Sequence, residues 1–268
     1  MARNIDSLTV SGFGDEWSAF DQSALPEEER QAMFDGYFAV FPFGSLPPNA
    51  EGFDLGCGSG RWAALMAPRV GLLHCIDPAE KALEVARRNV PGARFHLADA
   101  GSIPLPDGSQ DFGYSLGVLH HVPDTRKALE ACVRKLKPGA PFLLYLYYAF
   151  DNRPAWYRLV WKGSDLLRRG ICRLPFALRK AVTSGIALGV YWPLARISRA
   201  AGPNFPLHAY RDSSFYTMRT DALDRFGTRL ERRFTKEEIR QMMTDAGLTG
   251  IRFSDVVPYW TAVGFKEG

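Results

Sequence analysis

The sequence has no apolar run long enough to cross a bilayer. No uncharged stretch exceeds fifteen residues, and Ala181 to Ala195, of that length, is interrupted by Pro193, short of the ~20 apolar residues that a spanning helix needs. The opening residues Met-Ala-Arg-Asn-Ile-Asp-Ser carry no apolar core of the kind a secretory signal uses, so the expectation is a cytoplasmic protein. Cysteine is scarce: Cys57, Cys75, Cys132 and Cys172 are scattered, with no C-x-x-C pair and no Cys/His spacing suited to zinc. Neither a disulfide framework nor a metal site is expected. Internal repeats and low-complexity segments are absent too.

What is present is enough for a full core, with 46% hydrophobic residues in a chain of 268, which suits one domain with an insertion. The net charge of +4 hides an asymmetry. From Arg158 to Arg199 nine basic residues face one acid, Asp165, giving that segment +8 and leaving −4 for the rest of the chain. The basic balance belongs to one piece of sequence.

The stretch Phe53-Asp54-Leu55-Gly56-Cys57-Gly58-Ser59-Gly60-Arg61-Trp62 organises the chain. Glycines at alternate positions follow a short apolar run and precede a helix-periodic segment, which reads as strand, tight turn and helix start. Without Cβ atoms the backbone turns sharply and approaches a ligand closely, and free amides at a helix start attract an anionic group. Around this turn the chain divides into residues 1–50, an N-terminal helical cap; 51–148, a regular alternation of strands and helices; 149–234, a basic insertion; and 235–268, a helix and two closing strands. The spacing predicts strands at 52–56, 71–76, 93–98, 112–119 and 140–148, joined by helices. Short strands so joined imply a parallel sheet covered on both faces, with ligands at the carboxyl ends of the strands. Within the insertion two or three amphipathic helices are expected, followed by a loop over 203–234. Thr235-Lys236-Glu237-Glu238 is a capping-box helix start.

Acidic residues at later strand ends point to the ligand. Asp77 can accept both hydroxyls of a ribose, and Asp99 can accept from an adenine amino group. A nicotinamide dinucleotide is the rival, because Gly58-Ser59-Gly60-Arg61-Trp62-Ala63 satisfies G-x-G-x-x-A. Bulky Arg61-Trp62 beside the pyrophosphate space weigh against it. The ordered set Phe53 to Gly60, Ile76-Asp77-Pro78, Ala98-Asp99-Ala100, Asp111-Phe112 leading to Val118-Leu119-His120-His121-Val122, and Leu136-Lys137-Pro138-Gly139 resembles the class I S-adenosylmethionine-dependent methyltransferases. Within them it looks most like the small-molecule, type 11-like branch. The resemblance implies an α/β, Rossmann-like sheet of seven strands, doubly wound with the last strand antiparallel, and a helical insertion between strand 5 and the last helix. It implies S-adenosylmethionine as cofactor and S-adenosylhomocysteine as product. Asp54, Gly56, Cys57, Gly58 and Gly60 would hold the methionine part, Asp77 and Pro78 the ribose, Asp99 and Ala100 the adenine, with Leu116 and Gly117 beside the ammonium. Cys57 reads as a packing residue rather than a nucleophile.

Methyl transfer from a sulfonium is an in-line displacement that needs positioning and exclusion of water, and a base only for a weak nucleophile. His120 and His121 follow strand 4 and are the candidate catalytic residues, because an ordinary histidine accepts a proton near neutral pH. In enzymes of the family that the sequence resembles the first of such a pair often faces the acceptor, so His120 is the expected base and His121 the alternative. Trp17, Tyr147, His208, Tyr210, Arg211 and Tyr216 are candidates for acceptor contact. The expected reaction is methylation of O or N on a small metabolite, including a glycan or lipid-linked acceptor. Non-methylating chemistry on the same cofactor and a nicotinamide-dependent reductase are the rivals. The basic insertion fits a lid, a peripheral contact with anionic lipid, or an oligomer contact; nucleic acid is not expected.

Overall fold

The computed structural model describes residues 4–268. Seven strands build the sheet: β1 (Glu51–Leu55), β2 (Leu72–Asp77), β3 (Arg94–Leu97), β4 (Phe112–Leu116), β5 (Pro141–Tyr145), β6 (Leu248–Phe253) and β7 (Ala262–Lys266). Their order across the sheet is β3-β2-β1-β4-β5-β7-β6. The first five pair in parallel and β7 runs antiparallel to both β5 and β6. The strand order reverses between β1 and β4, and ligands in such sheets sit at that switch point.

Central strands are apolar because helices cover both faces. The ten α-helices among the described residues are α1 (Ser7–Ala19), α2 (Glu27–Tyr37), α3 (Ala63–Met66), α4 (Glu80–Asn89), α5 (Thr125–Lys135), α6 (Ala155–Ile171), α7 (Phe176–Ile186), α8 (Trp192–Ala201), α9 (Phe215–Gly227) and α10 (Lys236–Asp245). On one face α5 and α10 bury Leu129, Val133, Ile239 and Met243 against Phe53, Phe142 and Leu144. On the other, α2, α3 and α4 bury Phe34, Met66 and Leu83 against Leu73, Phe112 and Leu143. Each such side chain contributes about 1.5–3 kcal/mol on burial. The capping box expected at Thr235 is formed, with Thr235 and Glu238 satisfying each other's backbone amides.

Two segments differ from the expectation. Residues 1–50 are not one cap: α2 is a layer of the sheet core, with Phe34 and Phe38 fully packed, while α1 crosses to α4 and α9. Residues 203–234 are not a loop throughout, because α9 occupies 215–227. Ser214 caps it by accepting from the Thr217 amide, and Met218, Ala222 and Phe226 at helical spacing bury against Ala187, Tyr191 and Ala195. Its opposite side lines a cavity, so polar residues there are internal rather than solvated.

Candidate active site

The turn after β1 is built by backbone demands. Gly56 and Cys57 both donate to the Ile76 carbonyl, at 2.7 and 3.2 Å. Gly56 has φ +79°, and a Cβ on it would lie 2.4 Å from Val118; Gly58 has φ +53°, and a Cβ there would lie 2.8 Å from the Trp17 indole nitrogen. Only glycine supplies that conformation and that clearance. Trp17, carried by α1, thus lies directly on the turn, and Arg61 stacks between Trp17 and Trp62 at 5.4 Å from each ring.

Three carboxyl groups line up at the strand ends. Asp77 accepts from the Gly58 amide at 3.0 Å and the Ala79 amide at 2.8 Å. Burial pushes it up to about 6 against the pull of those two amides. Asp54, in β1 below the turn, is pushed up to about 8 by burial, opposed by the Tyr114 hydroxyl and reinforced by the Asp77 charge. Asp99 accepts from the Gly101 amide at 2.7 Å. The buried Ser59 hydroxyl has no hydrogen-bond partner. Asp54 and Asp77, their pKa values raised by burial, and Asp99, beside a turn that only glycine can make, form a cradle that fits a nucleoside bearing a cationic tail. Placing a positive group beside Asp54 would restore its charge.

From this cradle a cavity of about 1280 Å³ runs between the sheet, α1 and the insertion. That exceeds the ~300–1,000 Å³ of most single-ligand pockets, so a cofactor and an acceptor fit together. Its lining includes Trp17, Gly56, Cys57, Gly58, Asp77, Pro78, Asp99, Ala100, Leu116, Gly117, His121, Tyr147, His208, Tyr210 and Arg211. Asp54, Gly60, His120 and Tyr216 are not part of that lining. Tyr216 instead accepts from the Gln22 amide at 2.9 Å, tying α9 to the N-terminal segment.

The histidine pair divides sharply. Gly117, at φ +77°, ends β4 and is followed by a 3-10 turn, Leu119–His121. His120 points into the protein, with no exposed surface. Its Nδ1 accepts from the Tyr147 amide at 3.3 Å and its ring stacks on Tyr147 at 3.8 Å. Burial, with the charges of His121 and Arg233, drives its pKa well below the usual histidine range. His121 faces the cavity and packs on Phe13 of α1 at 5.0 Å. Its Nδ1 lies 2.6 Å from the Leu230 carbonyl, which can only accept, so Nδ1 carries the proton and Nε2 is left with a lone pair. That Nε2 has no hydrogen-bond partner and stands 3.9 Å from Asp224 Oδ1. Burial lowers the His121 pKa, partly offset by Asp224 and the Leu230 carbonyl. Tyr147 donates to the other oxygen of Asp224.

Sequence reasoning missed Asp224, Asp221 and Glu16, all in the lining. Asp221 is pushed up to about 6 by burial, against Arg61. Glu16 is buried, has an unpartnered Oε1, and is raised well above the usual carboxylate range by burial and by Asp224. A signal was available: Asp221 and Asp224, three apart, share one face of a helix, but only once 215–227 is recognised as helical. Among the described residues no group of His, Cys, Asp and Glu is arranged to hold a metal ion.

Comparison with known proteins agrees with this geometry. Residues 53–144 match the family described as "Methyltransferase domain". An uncharacterized 37.1 kDa protein of a Streptomyces fradiae transposon is 30% identical over 75% of this chain and 61% of its own length. The ubiquinone biosynthesis O-methyltransferase of Thiobacillus denitrificans is 30% identical over 56% of this chain and 62% of its own. This chain therefore spans less than two thirds of either relative. Among solved structures, phosphoethanolamine N-methyltransferase 2 of Haemonchus contortus, with phosphomonomethylethanolamine and S-adenosylhomocysteine, superposes at a TM-score of 0.51. It is 16% identical and covers 93% of this chain and 44% of its own, a likeness of fold. The dinucleotide reading of the glycine turn is not favoured by these matches.

Proposed function

Residues 53–144 form a domain of the class I S-adenosylmethionine-dependent methyltransferases, and from that premise we propose that the chain methylates a hydroxyl of an acceptor held in the outer half of the cavity. When bound, S-adenosylmethionine supplies an electrophilic methyl group. The residues that would hold it are the Gly56–Ser59 turn, Asp77, and Asp99 with Ala100, all in the cavity lining, with Asp54 and Gly60 behind the turn rather than against the ligand. Trp17 and Phe13 on α1 close the cavity over the turn and His121 and would exclude water.

The observation that carries the reading is the free Nε2 of His121, buried in the same cavity as the glycine cradle. A hydroxyl is a poor nucleophile until it loses its proton, and a neutral imidazole within reach takes it. Asp224, 3.9 Å away, stabilises the imidazolium that results, and the Tyr147 hydroxyl fixes that carboxylate. His120, stacked behind Tyr147, positions the wall and does not touch the acceptor.

His121→Ala is expected to lower kcat by roughly 10²–10⁴-fold while leaving the dissociation constant of S-adenosylmethionine within about twofold, read by calorimetry. Undiminished turnover in that variant would remove His121 from the chemistry. A second reading is favoured by Glu16, Asp221 and Asp224 together: three carboxyl groups among tyrosines suit a cationic acceptor, and an amine needs no base. In that case His121→Ala would retain activity, and Asp221→Asn would raise KM at least tenfold.

A further inference from the structure

The insertion presents to solvent what a globular surface ordinarily hides. Among the described residues, ten of the fourteen exposed large hydrophobics lie between Trp156 and Ile197, within about a sixth of the chain, whereas scattered single exposures are the usual pattern. On α6 they are ordered. Trp156, Leu159, Val160 and Leu167 recur at i, i+3, i+4 and i+11, which is one stripe along a helix about 25 Å long. Leu159 is 68% exposed and Leu167 61%. The opposite side, with Trp161, Asp165 and Arg168, is packed on α9 and its flanking loop; Arg168 donates to the Thr228 and Arg229 carbonyls. Beside the apolar stripe runs a third, basic one: Arg158, Lys162 and Arg169 at i, i+4 and i+11, all exposed.

The π-helical segment Ala187–Tyr191 and α8 repeat the arrangement, with Leu188, Val190, Trp192 and Ile197 exposed and the basic residues Arg196 and Arg199 alongside. Both apolar surfaces reach the cavity: Val160 of α6 and Val190, 56% and 44% exposed, both also line it.

We propose that the outer face of α6 and α8 docks on an anionic lipid bilayer, with the cavity mouth opening into it, so that the acceptor is carried in the lipid phase. Among the described residues no helix is long and apolar enough to cross a membrane. A helix with one apolar stripe and a flanking basic one lies in the interfacial plane, its apolar side chains in the acyl boundary and its Lys and Arg at the headgroups. Charge favours the same orientation: the segment from Arg158 to Arg199 carries +8 against −4 elsewhere, and Arg158, Lys162, Arg169 and Arg199 of it are exposed on α6 and α8, where they suit a negative surface. The second part of the inference rests on the cavity being the acceptor site; the docking itself does not.

The test uses the full chain and needs no turnover, so its failure is separate from failure of the methyl-transfer reading. Co-sedimentation is measured with phosphatidylcholine vesicles and with vesicles containing about a third phosphatidylglycerol. Binding to the anionic vesicles is expected to be at least roughly tenfold tighter, since each basic residue near the surface strengthens it about fivefold, and to weaken with salt. Leu159→Glu with Leu167→Glu changes two exposed side chains outside the cavity lining and should cut anionic-vesicle binding at least tenfold while circular dichroism and cofactor binding stay unchanged. Equal binding to both vesicle types, or binding untouched by the double variant, overturns the proposal. So does a dimer in sedimentation velocity that the double variant converts to monomer, which would make this face a contact between copies of the chain.

Discussion

At the scale of single residues, the environment sets the proton of both His121 and Asp54. His121 is neutral because burial disfavours its charged form and because the Leu230 carbonyl fixes its Nδ1 proton. An activity profile governed by it should have an acid limb below pH 6.5, the ordinary histidine value. Asp54 is held up at about 8, and Asp77 and Asp221 at about 6. A carboxyl whose folded pKa is raised contributes stability that is present in full below its unfolded value and lost as pH rises through the folded one. Above pH 6.5 the lowered histidines are neutral in folded and unfolded chains alike, so the raised carboxyls, Asp54 and Glu16 foremost, set the slope. The ligand-free protein should lose about 1.4 kcal/mol per pH unit from Asp54 up to about pH 8, a fall in Tm of about 3 °C per unit. Asp54→Asn should flatten that slope. A Tm that rises with pH over this range in the unsubstituted protein would contradict the assignment.

At the scale of elements, α9 does what a loop could not. It fills the space under residues 187–201 with one side and offers Asp221, Asp224 and Arg225 to the cavity with the other. Its N-cap is Ser214, which accepts from the Thr217 amide at 3.2 Å. Ser214→Ala should lower stability by about 1 kcal/mol, or Tm by about 2–4 °C, and raise KM for the acceptor with little change for the cofactor. An unchanged acceptor KM would detach α9 from the acceptor site.

This helix also marks where the sequence stopped being readable. The strands of the core were legible because short continuous apolar runs and glycine turns leave their own pattern: Phe112 to Leu116 are all buried, and the capping box at Thr235 announces its helix. The pattern on α9 is reversed on one side. Asp221, Asp224 and Arg225 look solvated in sequence but face an internal cavity, so polarity signalled loop where there is helix. The same inversion hid Glu16, one residue before Trp17 on α1. The histidine pair was found, but which of the two meets the acceptor was not, since adjacent residues on a 3-10 turn point in different directions and only the tertiary fold decides which way is inward.

The whole molecule combines a mildly acidic sheet core with a strongly basic helical insertion, and the cavity of about 1280 Å³ lies between the two. On the proposed reading the core would hold the cofactor at the β1/β4 switch point, α1 would close one side, and the insertion would supply the acceptor wall.

The most direct measurement supplies S-adenosylmethionine labelled in its methyl group to the protein, with lipid and aqueous extracts of its source cells, and follows label and S-adenosylhomocysteine together. Equimolar S-adenosylhomocysteine and labelled product, partitioning into the organic phase and reduced at least a hundredfold by His121→Ala, is the predicted result. Saturating cofactor binding with no label transferred from either extract would contradict methyl transfer as the activity of this chain.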